Sequence, residues 1–183
     1  MLINREALTK MENFNALAEV RYSVRQFKDQ AVEQEKLDLI LRAGQVAPTA
    51  CNYQPQRILV LNREETLSKL ELCTKYRFQA PLALLVCYDK TVSYKRKQDG
   101  KDGGEIDASI VTTHMTLAAA DIGLGSTWVM SFDPAKIISE YNIPENLVPV
   151  AVLVIGYPAD NAKPSPLHLD IRAIEETVFY NEF

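Results

Sequence analysis

The sequence predicts an α+β domain, a central sheet of buried strands flanked by helices. Two near-continuous apolar runs, PLALLVCYD (81–89) and LVPVAVLVIGYP (147–158), have the pattern of strands covered on both faces. Between them lies EIDASIVTTHMTLAAADIG (105–123), a helical stretch with so little polar surface that it is expected to be largely buried. Helical and strand patterns alternate irregularly along the 183 residues, which are enough for one domain with a core of its own.

In chain order, NFNALAEV (13–20) predicts a short helix ending near Arg21. Val32, Leu37, Ile40, Leu41 and Ala43 or Gly44 recur at helical spacing, and Pro48 stops that second helix. RILVLN (57–62) predicts a strand, and REETLSKLELC (63–73) an amphipathic helix with Leu67, Leu70 and Leu72 as its apolar set. TVSYKRKQDGKDGGE (90–104) is a charged, Gly-containing insertion, expected to be a mobile loop or lid. After the long helix, closed by Gly123, STWVM is a strand. DPAKIISEY (133–141) is a helix with Asp133 as N-cap and Pro134 at its first position. The last segment, RAIEETVFY (172–180), predicts a short amphipathic helix. The tail from 157 onward is too extended to form a core, so it must lie on this domain or reach onto a partner chain.

Composition narrows the classes. The formal charge is −4, which argues against a broad nucleic-acid surface, since that needs clustered Lys and Arg. Cys51, Cys73 and Cys87 are odd in number and show no CxxC spacing, so neither a disulfide framework nor a zinc site is expected. Reduced thiols fit a cytoplasmic setting. MLINREALTKMENF has no apolar run of signal-peptide length. No stretch approaches the ~20 apolar residues of a membrane span.

RYSVRQF (21–27) sets Arg21, Ser23 and Arg25 at alternate positions. In an extended chain they share one face. They are then either a solvated edge or a patch for a phosphate or other planar oxyanion. APTACNYQPQ (47–56) brackets Thr49, Asn52 and Gln54 between Pro48 and Pro55. It is either an ordinary turn or a stiff loop presenting fixed polar groups to a ligand. GLGSTWVMSFD (123–133) follows a helix and lacks a third glycine, so it is not a dinucleotide fingerprint. Its glycines let the backbone turn tightly and approach something flat. Trp128 is expected in the core. His114, seven residues after Asp107, is read as a core histidine rather than a metal ligand, and KRKQDGK (95–101) as a solvated loop. No catalytic triad is supported by local spacing.

The blocks RYSVRQF, APTACNYQPQ, DASIVTTHMTLAAADIGLGSTWVMSFD, VIGYP and RAIEETV together resemble the nitroreductase family of FMN-dependent oxidoreductases, in particular its short, single-domain members. The likeness runs from about residue 14 to the end, with order and spacing kept. It implies a single domain over 1–183, built as an intertwined homodimer with the tail 157–183 wrapped on the partner. FMN would lie at the interface, touched by both chains. The resemblance assigns Arg21, Tyr22 and Ser23 to the FMN phosphate and ribityl end, and Arg25 to the N1–C2 edge of the ring. Pro48, Thr49, Ala50 and Asn52 would contact the flavin of the other subunit. Trp128, Val129, Met130 and Ser131 would run beside the ring, and Arg172 would reach the phosphate from the tail. The chain departs from some members in carrying Met130 for a carboxylate or glycine and Asp170 for a lysine. No clear counterpart of their pyrimidine-edge Asn and Lys stands in 73–78, where Lys75 or Arg77 is the available substitute.

The implied activity is hydride transfer from NAD(P)H to an electron-poor acceptor such as a nitroaromatic or quinone, by a ping-pong mechanism. No side chain need act as acid or base, so no catalytic residue and no metal is assigned. Alternatives within the resemblance are dehalogenation, flavin fragmentation, ene or peptide oxidation, or a flavin-binding redox sensor or storage protein without turnover. A dimeric scaffold without a ligand would leave the Arg21–Arg25 cluster unexplained.

Overall fold

The computed structural model describes residues 14–183. The N-terminal stretch 1–13, including most of the segment read as lacking a signal-length apolar run, lies outside the described residues. The elements are helix α1 (Phe14–Val20), α2 (Gln34–Gln45), strand β1 (Gln56–Leu61), α3 (Glu64–Cys73), β2 (Leu82–Asp89), α4 (Gly104–Asp121), β3 (Gly125–Val129), α5 (Pro134–Tyr141) and β4 (Leu147–Gly156).

The four strands form one antiparallel sheet in the order β1-β2-β4-β3. The two apolar runs are its central pair, with Leu85 opposite Val152. Period-two alternation divides their side chains between two faces. Leu82, Leu84, Val86, Leu153 and Ile155 pack with Leu37 and Ile40 of α2 and Val111 and Met115 of α4. Ala83, Leu85, Cys87, Val152 and Val154 pack with Leu67 and Leu70 of α3 and Ile137 of α5. The sheet is therefore a middle layer. Both central strands are apolar throughout because they feed both cores. The register shifts between Val86 and Cys87 opposite Ala151 and Pro149, a bulge that accommodates a proline inside a central strand.

Helix ends follow local chemistry. Asp133 accepts from the N–H groups of Ala135 and Lys136 at 3.0 and 3.1 Å, with Pro134 next in line, as expected. Gly123, at φ +79°, terminates α4 in the left-handed region.

Three expectations are corrected. Segment 90–104 is a bonded hairpin rather than a free lid: Gly103 N donates to Tyr94 O (2.8 Å) and Arg96 N to Lys101 O (3.0 Å), with Lys95–Asp102 and Arg96–Asp99 ion pairs across it. The predicted helix at 172–180 is only a 3₁₀ turn over Ile174–Glu176. An isolated nine-residue segment is too short to hold a helix without a surface to pack on, and its apolar Ile174, Phe179 and Tyr180 are exposed. Helix α4 is buried on one face only, through Ala108, Val111, Thr112, Met115 and Ala119, while Ile106 remains 54% exposed.

Candidate functional site

The segment Arg21–Phe27 is extended and laid against the sheet edge. Val24 N donates to Ser126 O at 3.0 Å, and the Thr127 hydroxyl donates to Val24 O. Lys28 N reaches Tyr157 O at 2.8 Å, and Ala159 N reaches Gln26 O at 3.0 Å. Val24 is buried against β3, so its neighbours Ser23 and Arg25 are turned away from the core, whereas Arg21 lies on the Val24 side. The close approach depends on Gly125, where a Cβ would stand 2.5 Å from a Val24 methyl. The second glycine of the GLG stretch thus makes room for the protein's own strand, not for a flat ligand.

Ser23 and Arg25 line a cleft of about 610 Å³ with Gln26, Phe78 and the tail residues Asn161 and Ser165. Arg25 and Phe78 also border an adjoining cleft of about 480 Å³ with Thr74, Lys75, Arg77 and Gln79. Phe78 and Gln79 hold φ +55° and +54°, a left-handed pair that costs of order 1 kcal/mol or more per residue and recurs at ligand sites. Arg77 is engaged by Glu71 at 2.8 Å and Glu64 at 3.8 Å. Among the described residues no carboxylate pairs with Arg25 or Lys75, which leaves Lys75 as the available cation of 73–78. The Thr74 hydroxyl donates to Ser131 O at 2.6 Å, and Asp133 N donates to Cys73 O at 2.9 Å. These bonds bring Met130, 64% exposed, and Ser131 to the same neighbourhood.

Other predicted residues fall elsewhere. Arg21 and Tyr22 line a separate cleft of about 200 Å³ with Gly123, Leu124 and Ser126. Val129 is buried. Trp128 packs on the core as expected, and its Nε1 is buried without a hydrogen-bond partner. Arg172 is exposed and reaches only Glu176, at 4.0 Å. His114 is half-buried, and no group of three metal-ligating side chains occurs among the described residues. Burial pushes the Cys87 thiol up to about 11 and raises Cys73, whose neighbours Glu140 and Asp133 add to the effect. Both thiols are therefore protonated and unreactive near neutrality.

Pro48, Thr49, Ala50 and Asn52 line neither of the Arg25 clefts. They form a tight turn in which Cys51, Asn52 and Gln54 all have positive φ, at +52°, +56° and +50°. Ala50 N donates to the buried Asp107 carboxylate at 2.9 Å. Asp107, Thr74 and Gln79 were not singled out by sequence as site residues. None carried a signal of its own: Asp107 is one of two acids, with Glu105, in the first turn of α4.

A family model described as "Nitroreductase family" matches residues 18–81 and 75–157. The chain belongs to the nitroreductase family. A curated relative of this nitroreductase-family chain, a "Putative NADH dehydrogenase/NAD(P)H nitroreductase" of Methanothermobacter thermautotrophicus, is 30% identical over 89% of each chain. An "FMN reductase [NAD(P)H]" of Bacillus subtilis is 30% identical over 87% of this chain and 70% of its own. Among solved structures, a nitroreductase family protein of Clostridium difficile superposes with TM-score 0.89 at 41% identity, covering 93% of this chain and 99% of that one. An FMN-dependent nitroreductase of the same species superposes with TM-score 0.78 at 28% identity, over 93% of this chain and 100% of that one. No helix among the described residues is long and apolar enough to cross a membrane.

Proposed function

We propose that this chain is an FMN-dependent NAD(P)H oxidoreductase, working in the cytoplasm as a homodimer and reducing an electron-poor small molecule such as a nitroaromatic or quinone. The observation that carries the reading is the outward turn of Ser23 and Arg25, on a strand locked by Val24, into a cleft shared with the left-handed Phe78. The relatives' names support it.

The residues fit FMN. Its two ends, an anionic phosphate and an acceptor-rich ring edge, both call for cations, and Arg21 and Arg25 lie about 13 Å apart along an extended chain. Arg21, Tyr22 and Ser23 take the phosphate and ribityl end. Arg25, with Lys75 beside it, takes the N1–C2 edge, where positive charge favours the reduced anionic ring. Trp128 to Ser131 border the ring, with Met130 the exposed member of the run. When bound, FMN supplies the hydride relay between donor and acceptor. Donor and acceptor occupy the same exposed face in turn, so the kinetics are ping-pong, and no side chain is needed as acid or base.

The other half of the site comes from a second copy of the chain. Pro48, Thr49, Ala50 and Asn52 stand apart from the Arg25 clefts, as expected if they serve the partner's cofactor. The outer face of α4 carries the exposed Ile106 and Thr113 and the half-buried Ile110 and Leu117 at spacings that suit a helix–helix seam. Among the described residues one edge of β1 has no partner strand, and the tail presents Leu167, Leu169 and Ile171 at 75–83% exposure. Exchange of the tail covers these surfaces and carries Arg172 to the phosphate.

The test is the visible spectrum of purified protein before and after anaerobic NADPH. Flavin bands that bleach are expected. Protein that is colourless and stays so with added FMN would sink the reading.

A further inference from the structure

We propose that Asp107 is a positioning residue, setting the Pro48–Asn52 loop in the conformation that meets the cofactor. The functional meaning of that loop rests on the reading above; the placement of Asp107 does not.

Asp107 is only 2% exposed, yet it is a carboxylate with a single hydrogen bond, from Ala50 N to Oδ1, and its Oδ2 has none. Burying such a group is unfavourable unless it serves something. It does not serve its own helix. The hydroxyl groups of Ser109, Thr112, Thr113 and Thr116 all donate back to α4 carbonyls four residues earlier. Asp107 instead reaches out, 57 residues back in sequence. It sits in the first turn of α4, where the helix dipole favours a carboxylate.

The loop needs such a tie. Its own bonds are internal: Asn52 N to Thr49 O at 2.9 Å, Tyr53 N to Ala50 O at 3.1 Å, and Gln54 N to Thr49 Oγ1 at 3.1 Å. Among the described hydrogen bonds, Ala50–Asp107 is the one that joins Pro48–Tyr53 to anything beyond Gln54. Without it, the turn that carries the left-handed Cys51, Asn52 and Gln54 keeps only its internal bonds and loses its tie to α4.

Three full-length variants test this. Asp107→Asn keeps an oxygen for Ala50. Asp107→Ser folds back on the helix as Ser109 does and cannot reach Ala50; Asp107→Ala removes both options. FMN dissociation constants should stay within about threefold of wild type for Asn and weaken by about tenfold or more for Ser and Ala, with thermal melts confirming folded protein. Amide exchange at Ala50 is read in parallel and needs no cofactor. Its protection should persist in wild type and Asp107→Asn and vanish in Asp107→Ser. Unchanged protection in Asp107→Ser, or loss in Asp107→Asn equal to that in Asp107→Ser, overturns the proposal. A wild type that protects Ala50 but takes no FMN overturns the functional reading alone.

Discussion

Arg21 and Arg25 flank Val24 in separate clefts, and in the proposed function they meet different ends of the cofactor. Losing Arg21 removes charge-assisted hydrogen bonds to a phosphate, worth roughly 1.5–3 kcal/mol, or about ten- to a hundredfold in FMN affinity. Losing Arg25 also removes a positive charge from the ring edge. Its midpoint potential should fall by about 30 mV, which for a two-electron couple corresponds to about 1.4 kcal/mol. FMN titration and dye-coupled potentiometry on Arg21→Ala and Arg25→Ala separate the two. Equal and trivial effects return the stretch to a solvated edge. The outward pair Ser23 and Arg25 was legible because a period-two pattern survives in sequence, but the place of Arg21 on the Val24 side was not. Asp107 and the left-handed Cys51, Phe78 and Gln79 were not. A positive φ at a residue other than glycine leaves no mark in composition, and a carboxylate that bonds 57 residues away has no local spacing to betray it.

Elements with strong local chemistry were read correctly: the Asp133-Pro134 start of α5, the Gly123 end of α4, and the two apolar strands. The hairpin at 90–104 was missed because ion pairs, not an apolar alternation, hold it. Gly125 shows how an element can be specified by its neighbour. A methyl there meets the Val24 side chain at 2.5–2.9 Å, and the Val24 backbone is held in place by its N–H on Ser126 O and by the Thr127 hydroxyl on its carbonyl. Gly125→Ala should therefore lift Arg21–Phe27 off β3, at about 1–3 kcal/mol in chemical denaturation. FMN affinity should fall with it, since Arg21, Ser23 and Arg25 all ride on that strand. A variant as stable as wild type, with FMN binding intact, would show that the strand has more freedom than its contacts indicate.

At the scale of the whole molecule, both cores close within one chain. Neither buried cluster draws on any residue beyond Tyr157, whereas the tail exposes Leu167, Leu169, Ile171, Ile174, Tyr180 and Phe183. Sequence could show that this tail lacks a core of its own, but not which surface receives it, because strand order and the face left open on α4 arise only on folding. The asymmetry predicts what truncation does. A chain ending at Ser165 keeps both cores and should still melt cooperatively, by several degrees lower through loss of subunit contacts. If the tail is exchanged as proposed, this chain lacks Arg172 and the cover over β1 and α4. Light scattering should find it shifted toward monomer, and FMN should bind at least about tenfold more weakly. A truncated chain that remains a dimer with full FMN affinity would mean that the tail, for all its apolar surface, is not what joins the two halves of the site.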